Sequence, residues 1–181
     1  CSARVDAEKF LVCAPMPMGL SRDEPGTIVS VEGDLPSGVL GEVRAHQAIY
    51  RARPDVGGIC RIMPPATMAL STMGITPAAR HGLGAYFAPA PPLWNDPRLL
   101  RDSESASRLA TTLGSASAVV MRANGAITVG RDIEEAATFA FFLKDAARVE
   151  RDIRSMGFDP ATGLLDACEI RARQTLSGGG V

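Results

Sequence analysis

Lysine is nearly missing from this 181-residue chain, which carries only Lys9 and Lys144. Lys9 falls in a charged turn and Lys144 between apolar positions of an expected helix. Neither is the desolvated amine that Schiff-base chemistry requires. Histidine is equally scarce, limited to His46 and His81. The four cysteines, Cys1, Cys13, Cys60 and Cys168, form no C-x-x-C pair and no metal-finger spacing, and a reduced cytoplasmic compartment is their simplest account. Neither sign of charge is in excess: 19 basic against 20 acidic residues leave a net charge of -1. This argues against an electrostatic nucleic-acid or membrane partner, which usually demands a basic surplus on one face. No stretch reaches the roughly 18 apolar residues of a membrane span, and the start lacks a basic-then-apolar signal pattern.

What is present is ordinary for a soluble globular protein: 46% hydrophobic and 22% charged residues, enough chain for one sizeable core. With no internal repeat, residues 1–181 read as a single domain. Phe10 to Ala14 is an apolar run closed by Pro15, Pro17 and Gly19, a buried strand followed by a loop. Thr27 to Val31 alternates with period two and ends at Glu32-Gly33-Asp34, as one strand of a hairpin or meander. Apolar spacing predicts a helix from Gly41 to Arg53, stopped by Pro54. A buried strand from Gly57 to Ile62 follows, then a helix opened by Pro64-Pro65, running through Met73 and ended by Gly74.

Ile75 to Asp96 reads as a long irregular segment, a type more often functional than accidental. Asp102 or Ser103 can cap a helix through Leu113, stopped by Gly114. Two short strands, Ala118–Met121 and Ala126–Val129, flank an Asn124-Gly125 turn. Asp132 caps the longest helix, Ile133 to about Ser155, with Ala136, Phe139, Ala140, Leu143, Ala147 and Val149 as its apolar stripe. A last amphipathic helix is expected over Leu164 to Leu176, and a flexible end over 177–181.

The segment Glu42-Val43-Arg44-Ala45-His46-Gln47-Ala48-Ile49-Tyr50-Arg51-Ala52-Arg53-Pro54-Asp55-Val56, followed by Gly57 to Pro65, resembles the class II aldolase/adducin family. That family carries E-x-x-x-H-x-x-I-Y-x-x-R-P-D-V, then an apolar strand ending in H-x-H-P-P. The resemblance runs from about Ser2 to Gly157. It implies a three-layer α/β/α domain with a central, largely antiparallel sheet, and a homotetramer whose clefts lie between subunits. Cys1-Ser2-Ala3-Arg4-Val5 matches the middle of the family's G-N-I-S-x-R strand, which implies that an opening helix and first strand lie outside these 181 residues.

Family enzymes hold a divalent metal on two histidines of the H-x-H segment and a third in a later N-H-G segment. By position, Arg61, Met63 and Asn124 stand in their place. The expectation is therefore no metal and no cofactor, because a thioether is a soft ligand and an amide a weak one. The family's phosphate-binding paired serines fall at Leu40 and Gly41, so a sugar phosphate is not the expected substrate.

Glu42 occupies the position of the family's acid/base residue; the bland alternative is a helix-start glutamate favoured by the backbone dipole. Arg61 cannot ligate a metal, but its planar fork can bind a carboxylate bidentately. Placed at the end of a buried strand, it calls either for an acidic partner such as Glu42 or for an anionic ligand. Met63 reads as core. Asn124 is either a turn residue tolerating positive φ or a substrate hydrogen-bonder. His81 and Tyr86 lie in the long loop as candidate substrate contacts, His81 having the alternative of an exposed or structurally satisfied loop histidine. Cys60 is either a core thiol or one activated by neighbouring Arg61.

The resemblance thus implies a lyase-like enzyme, an aldolase or decarboxylase relative acting on a small carbonyl or carboxylate compound through Glu42 and Arg61. The alternative is a catalytically silent binding or assembly module like the adducin head domain.

Overall fold

A computed structural model describes residues 1–20 and 22–174. Seven strands and five α-helices are found among them: β1 Ser2–Arg4, β2 Lys9–Val12, β3 Thr27–Ser30, α1 Val43–Ala52, β4 Gly58–Ile62, α2 Pro65–Thr72, β5 Leu93–Trp94, α3 Ser103–Leu113, β6 Ala118–Met121, β7 Ala126–Gly130, α4 Ile133–Ser155 and α5 Ala167–Arg173. The strands form one mixed sheet in the order β3-β2-β1-β4-β7-β6-β5. The pairs β1–β2, β2–β3, β1–β4 and β6–β7 are antiparallel, whereas β5–β6 is parallel. The α/β class and the meander of β1 to β3 follow the sequence pattern. Among the described residues no helix is long and apolar enough to cross a membrane.

Chain contacts divide the protein into two compact units: Cys1–Cys60 with Arg98–Gly114 and Val129–Ala137, and Arg61–Pro97 with Ser115–Thr128 and Thr138–Val181. In the first unit α1 packs on α3, and its apolar positions Val43, Ala45, Ala48, Ile49 and Tyr50 are buried. Ile49 and Tyr50 are essentially inaccessible, as are Phe10, Ile59 and Leu109, each such side chain contributing about 1.5–3 kcal/mol by leaving water. The Tyr50 and Phe10 rings lie 4.8 Å apart. Pro54 ends α1 as expected, and Asp102 caps α3 by accepting from Ser105 N at 2.7 Å.

The sequence frame proves to be a polar knot inside this unit. Ser2 Oγ lies 2.7 Å from His46 Nδ1 and 2.9 Å from the Tyr50 hydroxyl. Arg4 donates to the carbonyls of Val56, Tyr50 and Arg53 at 2.7, 2.8 and 3.0 Å, with its guanidinium over the Tyr50 ring. Burial pushes the Tyr50 hydroxyl up to about 12, against the opposing hydrogen bond from Ser2.

In the second unit Phe87, Val120, Phe139 and Leu143 form an apolar cluster, with Tyr86 and Phe142 against it. Three expectations need correction here. The segment Ile75 to Asp96 is not wholly irregular, because it contains a short 3-10 helix at Gly84–Phe87 and the edge strand β5; a two-residue strand is too short to show periodicity. Met63 is 56% exposed rather than core, since β4 ends at Ile62. The last helix spans only Ala167–Arg173, started by a capping box of Asp166 and Glu169; Leu176 and the expected flexible end lie outside the described residues.

A buried ion pair completes this unit. Arg80 Nε donates to Glu150 Oε2 at 2.6 Å, with side chains 2% and 0% exposed. Arg154 donates to the other carboxylate oxygen at 2.6 Å, and Arg80 reaches the carbonyls of Pro160 and Thr162. Burial alone would raise the Glu150 carboxyl, but the hydrogen bonds from Arg80 and Arg154 outweigh it and hold the group below the usual carboxylate range. A depressed folded value means that the pair contributes fully above the unfolded carboxylate value and is lost as pH falls through the folded one. Glu150→Gln strands a buried cation, so chemical denaturation is expected to show a loss of about 3–5 kcal/mol at neutral pH. The gap between variant and parent should narrow as pH falls through the acid range.

Candidate functional site

Arg61 is the fourth residue of β4 and Asn124 sits in the turn between β6 and β7. Arg61 Nη2 donates to Asn124 Oδ1 at 2.7 Å, and Nη1 to the Ile62 carbonyl at 3.1 Å. These two acceptors are neutral, and they orient the guanidinium. Asn124 does not itself take positive φ, contrary to the turn reading; Ala123 does, at 56°, followed by Gly125 at 73°. The turn is wider than a two-residue Asn-Gly hairpin, with Met121 N bonding Gly125 O and Asn124 N bonding Met121 O. The Asn124 side chain is thereby available to Arg61.

Two further contacts settle this turn. Ala123 N donates to Ser71 Oγ at 3.1 Å, and that hydroxyl donates to Met68 O. Gly125 has no room for a side chain: a Cβ there would lie 2.1 Å from Ile62 O and 3.0 Å from Arg61 Nη1. Beside it, Arg122 has a buried Nε with no hydrogen-bond partner, a polar group that sequence reasoning passed over.

His81 and Tyr86 belong to the same unit. The His81 ring is half-buried, its Nε2 is enclosed and without a hydrogen-bond partner, and burial pushes the imidazole down against the pull of Asp145. The bland reading of a satisfied histidine therefore does not hold at Nε2. Tyr86 is half-buried, its ring packed against Phe139 and Phe142 at 5.7 and 5.4 Å.

Glu42 belongs to the first unit, directly before α1, and its side chain caps no helix nitrogen. It accepts from Arg101 Nε at 3.1 Å, with side chains 33% and 62% exposed. A pair this open to water contributes about 0–1 kcal/mol. Cys60 is a buried thiol that desolvation pushes up, so activation by Arg61 is not its state. Lys144 is exposed, its ammonium 5.9 Å from the Phe141 ring centre. An open cleft of about 780 Å³ in the first unit is lined by Arg4, Glu8, Glu32, Tyr50 and Arg51. None of the candidate residues lines it, and Arg51 is paired with Glu32 there.

The comparisons with known proteins meet this geometry at the frame. The class II aldolase and adducin N-terminal domain model matches residues 1–150. This chain belongs to that family. A 3,4-dihydroxyphthalate decarboxylase of Terrabacter sp. (strain DBF63) is 25% identical over 174 residues, covering 86% of this chain and 72% of the relative. Alpha-adducin of Rattus norvegicus is 30% identical over 195 residues, covering 98% of this chain and 26% of the adducin. This class II aldolase and adducin family member thus spans about a quarter of the adducin's length. Among solved structures, L-fuculose 1-phosphate aldolase from Glaciozyma antarctica PI12 superposes with a TM-score of 0.77 at 21% identity, covering 95% of this chain and 69% of the aldolase. An aldolase II superfamily protein from Pseudomonas syringae gives 0.76 at 22%, covering 99% and 75%. These superpositions establish the class II aldolase-like fold.

The family resemblance assigns a divalent metal to the positions of Arg61, Met63 and Asn124, and their donors do not suit one. Arg61 is a cation, Met63 offers an exposed thioether, and the Asn124 oxygen is already engaged by Arg61. Among the described residues no three His, Cys, Asp or Glu side chains gather into a metal-sized cluster. Gly125→Ala tests the close approach that seats Asn124 beside Arg61. Left-handed backbone and a carbonyl clash together are expected to lower stability by more than about 1 kcal/mol in urea unfolding.

Proposed function

We propose that this chain is a lyase-like enzyme, an aldolase or decarboxylase relative acting on a small carbonyl or carboxylate compound without a metal at the three positions. The observation that carries the reading is the Arg61–Asn124 hydrogen bond: two positions assigned to metal ligands hold an oriented cation and the neutral amide that orients it. Breaking a carbon–carbon bond beside a carbonyl or carboxylate drives negative charge onto an oxygen. A fixed guanidinium meets that charge with paired N–H donors, and losing one such stabilising group typically costs about 2.7–4 kcal/mol of barrier. Glu42 is the proton carrier in this reading, by its place in the family frame. Asn124 and His81 contact substrate, with Tyr86 as a wall of the aromatic cluster. A homotetramer in the cytoplasm belongs to the same proposal.

A second reading has its own support. The match to alpha-adducin covers almost the whole chain at higher identity than the match to the decarboxylase, which favours a binding or assembly module. Ligand binding separates the two. Calorimetry with a panel of small aliphatic and aromatic carboxylic acids should give heat with the parent protein, none with Arg61→Met, and weakened binding with Arg61→Lys, which keeps charge but loses the fork. Undiminished binding by Arg61→Met would reject the charge-replacement reading, and an inert panel would favour the assembly module.

Elemental analysis addresses the metal directly. The purified protein is expected to hold no stoichiometric zinc, manganese or iron. About one such ion per chain would overturn the proposal.

A further inference from the structure

Three thiols scattered through the sequence stand side by side in the first unit, Cys1 just before β1, Cys13 just after β2 and Cys60 within β4. β1 lies between β2 and β4, and the registers Ser2↔Val12 and Ser2↔Ile59 put Cys1 opposite Cys13 on one side and Cys60 on the other. Residues opposed in this way share a face of the sheet. Cys13 N donates to Cys1 O at 3.1 Å, and Cys13 Sγ lies 3.2 Å from Cys1 N. The closest sulfurs are those of Cys1 and Cys60, 3.4 Å apart. Opposed residues of an antiparallel pair have Cα atoms about 4.5–5.5 Å apart, within the roughly 4.4–6.8 Å that a disulfide spans.

We propose that Cys1 and Cys60 form a redox-modification site that closes reversibly into a cross-strand disulfide when the protein meets a hydroperoxide. Cys60 is only 3% exposed, so the first attack is assigned to its partner Cys1. Its thiolate sulfur displaces hydroxide from hydrogen peroxide as the O–O bond breaks, giving a sulfenic acid. The Cys60 thiol then attacks that sulfur; its proton and the departing hydroxyl leave as water, and the S–S bond forms. In sum two thiols and one hydrogen peroxide become one disulfide and two waters. The bond ties β1 to β4 one residue before Arg61, so oxidation clamps the strand that carries the proposed anion-binding group. A thiol reductant reverses it by exchange.

The test uses the protein as purified. After equimolar hydrogen peroxide, alkylation and non-reducing trypsin digestion, the peptide ending at Arg4 should be joined to Ala52–Arg61, two hydrogens lighter than their sum. Thiol titration of the denatured protein should fall from four to two, and dithiothreitol should restore all four. Cys168→Ser leaves the joined peptide in place, and Cys60→Ser abolishes it. Should Cys60→Ser fail to fold, Cys1→Ser at the half-buried strand start serves the same purpose. Survival of all four thiols, or joined peptides carrying Cys13 or Cys168 in place of Cys60, would overturn the proposal.

Discussion

Polar groups taken out of water must find partners, and in the first unit that requirement falls on Ser2, Arg4, His46 and Tyr50. Ser2 and His46 are 3% and 5% exposed and Tyr50 is 1%, so hydroxyl, imidazole and phenol have exchanged water for one another. An unsatisfied buried polar atom costs about 1–3 kcal/mol, which makes the knot a constraint on the register of β1 against α1. Arg4 extends it by gathering three carbonyls at the end of α1 and beyond. Residues that first read as a family signature are thus, in large part, the fastening of a helix to a strand.

The same requirement acts at Arg61 and Asn124. A carbonyl at the end of β4 and an amide in the neighbouring turn both need donors, and Arg61 supplies two. The guanidinium thereby links strand end to turn. The side chain therefore answers to two demands, orientation and charge. Substitutions that preserve only one of them distinguish the demands.

Buried charge is paired directly at Arg80 and Glu150. There the compensation is complete and local: one carboxylate receives two guanidiniums, and Arg80 spends its other donors on the carbonyls of Pro160 and Thr162. The segment following α4 is exposed along most of its length, so this buried anchor and the Leu165–Ala79 and Gln174–Ala85 hydrogen bonds hold it to the loop bearing His81.

Much of the fold was legible in the sequence because its cues are local. The α1 stripe, Pro54, the Asp102 and Asp132 caps and the Asn124-Gly125 turn each act within a few residues of where they stand, and the motif from Glu42 to Val56 sufficed for the family. The side-chain partnerships were not legible. Arg61 finds Asn124 across 63 residues, Arg80 finds Glu150 across 70, and Cys1 finds Cys60 across 59. Each depends on which strands pair and in what register, information that periodicity does not carry. Met63 and Asn124 show the same limit from the other side. Residue type suggested core for one and a strained turn for the other, but the end of β4 left Met63 in solvent, and the wider turn moved positive φ to Ala123 and left the Asn124 side chain to Arg61.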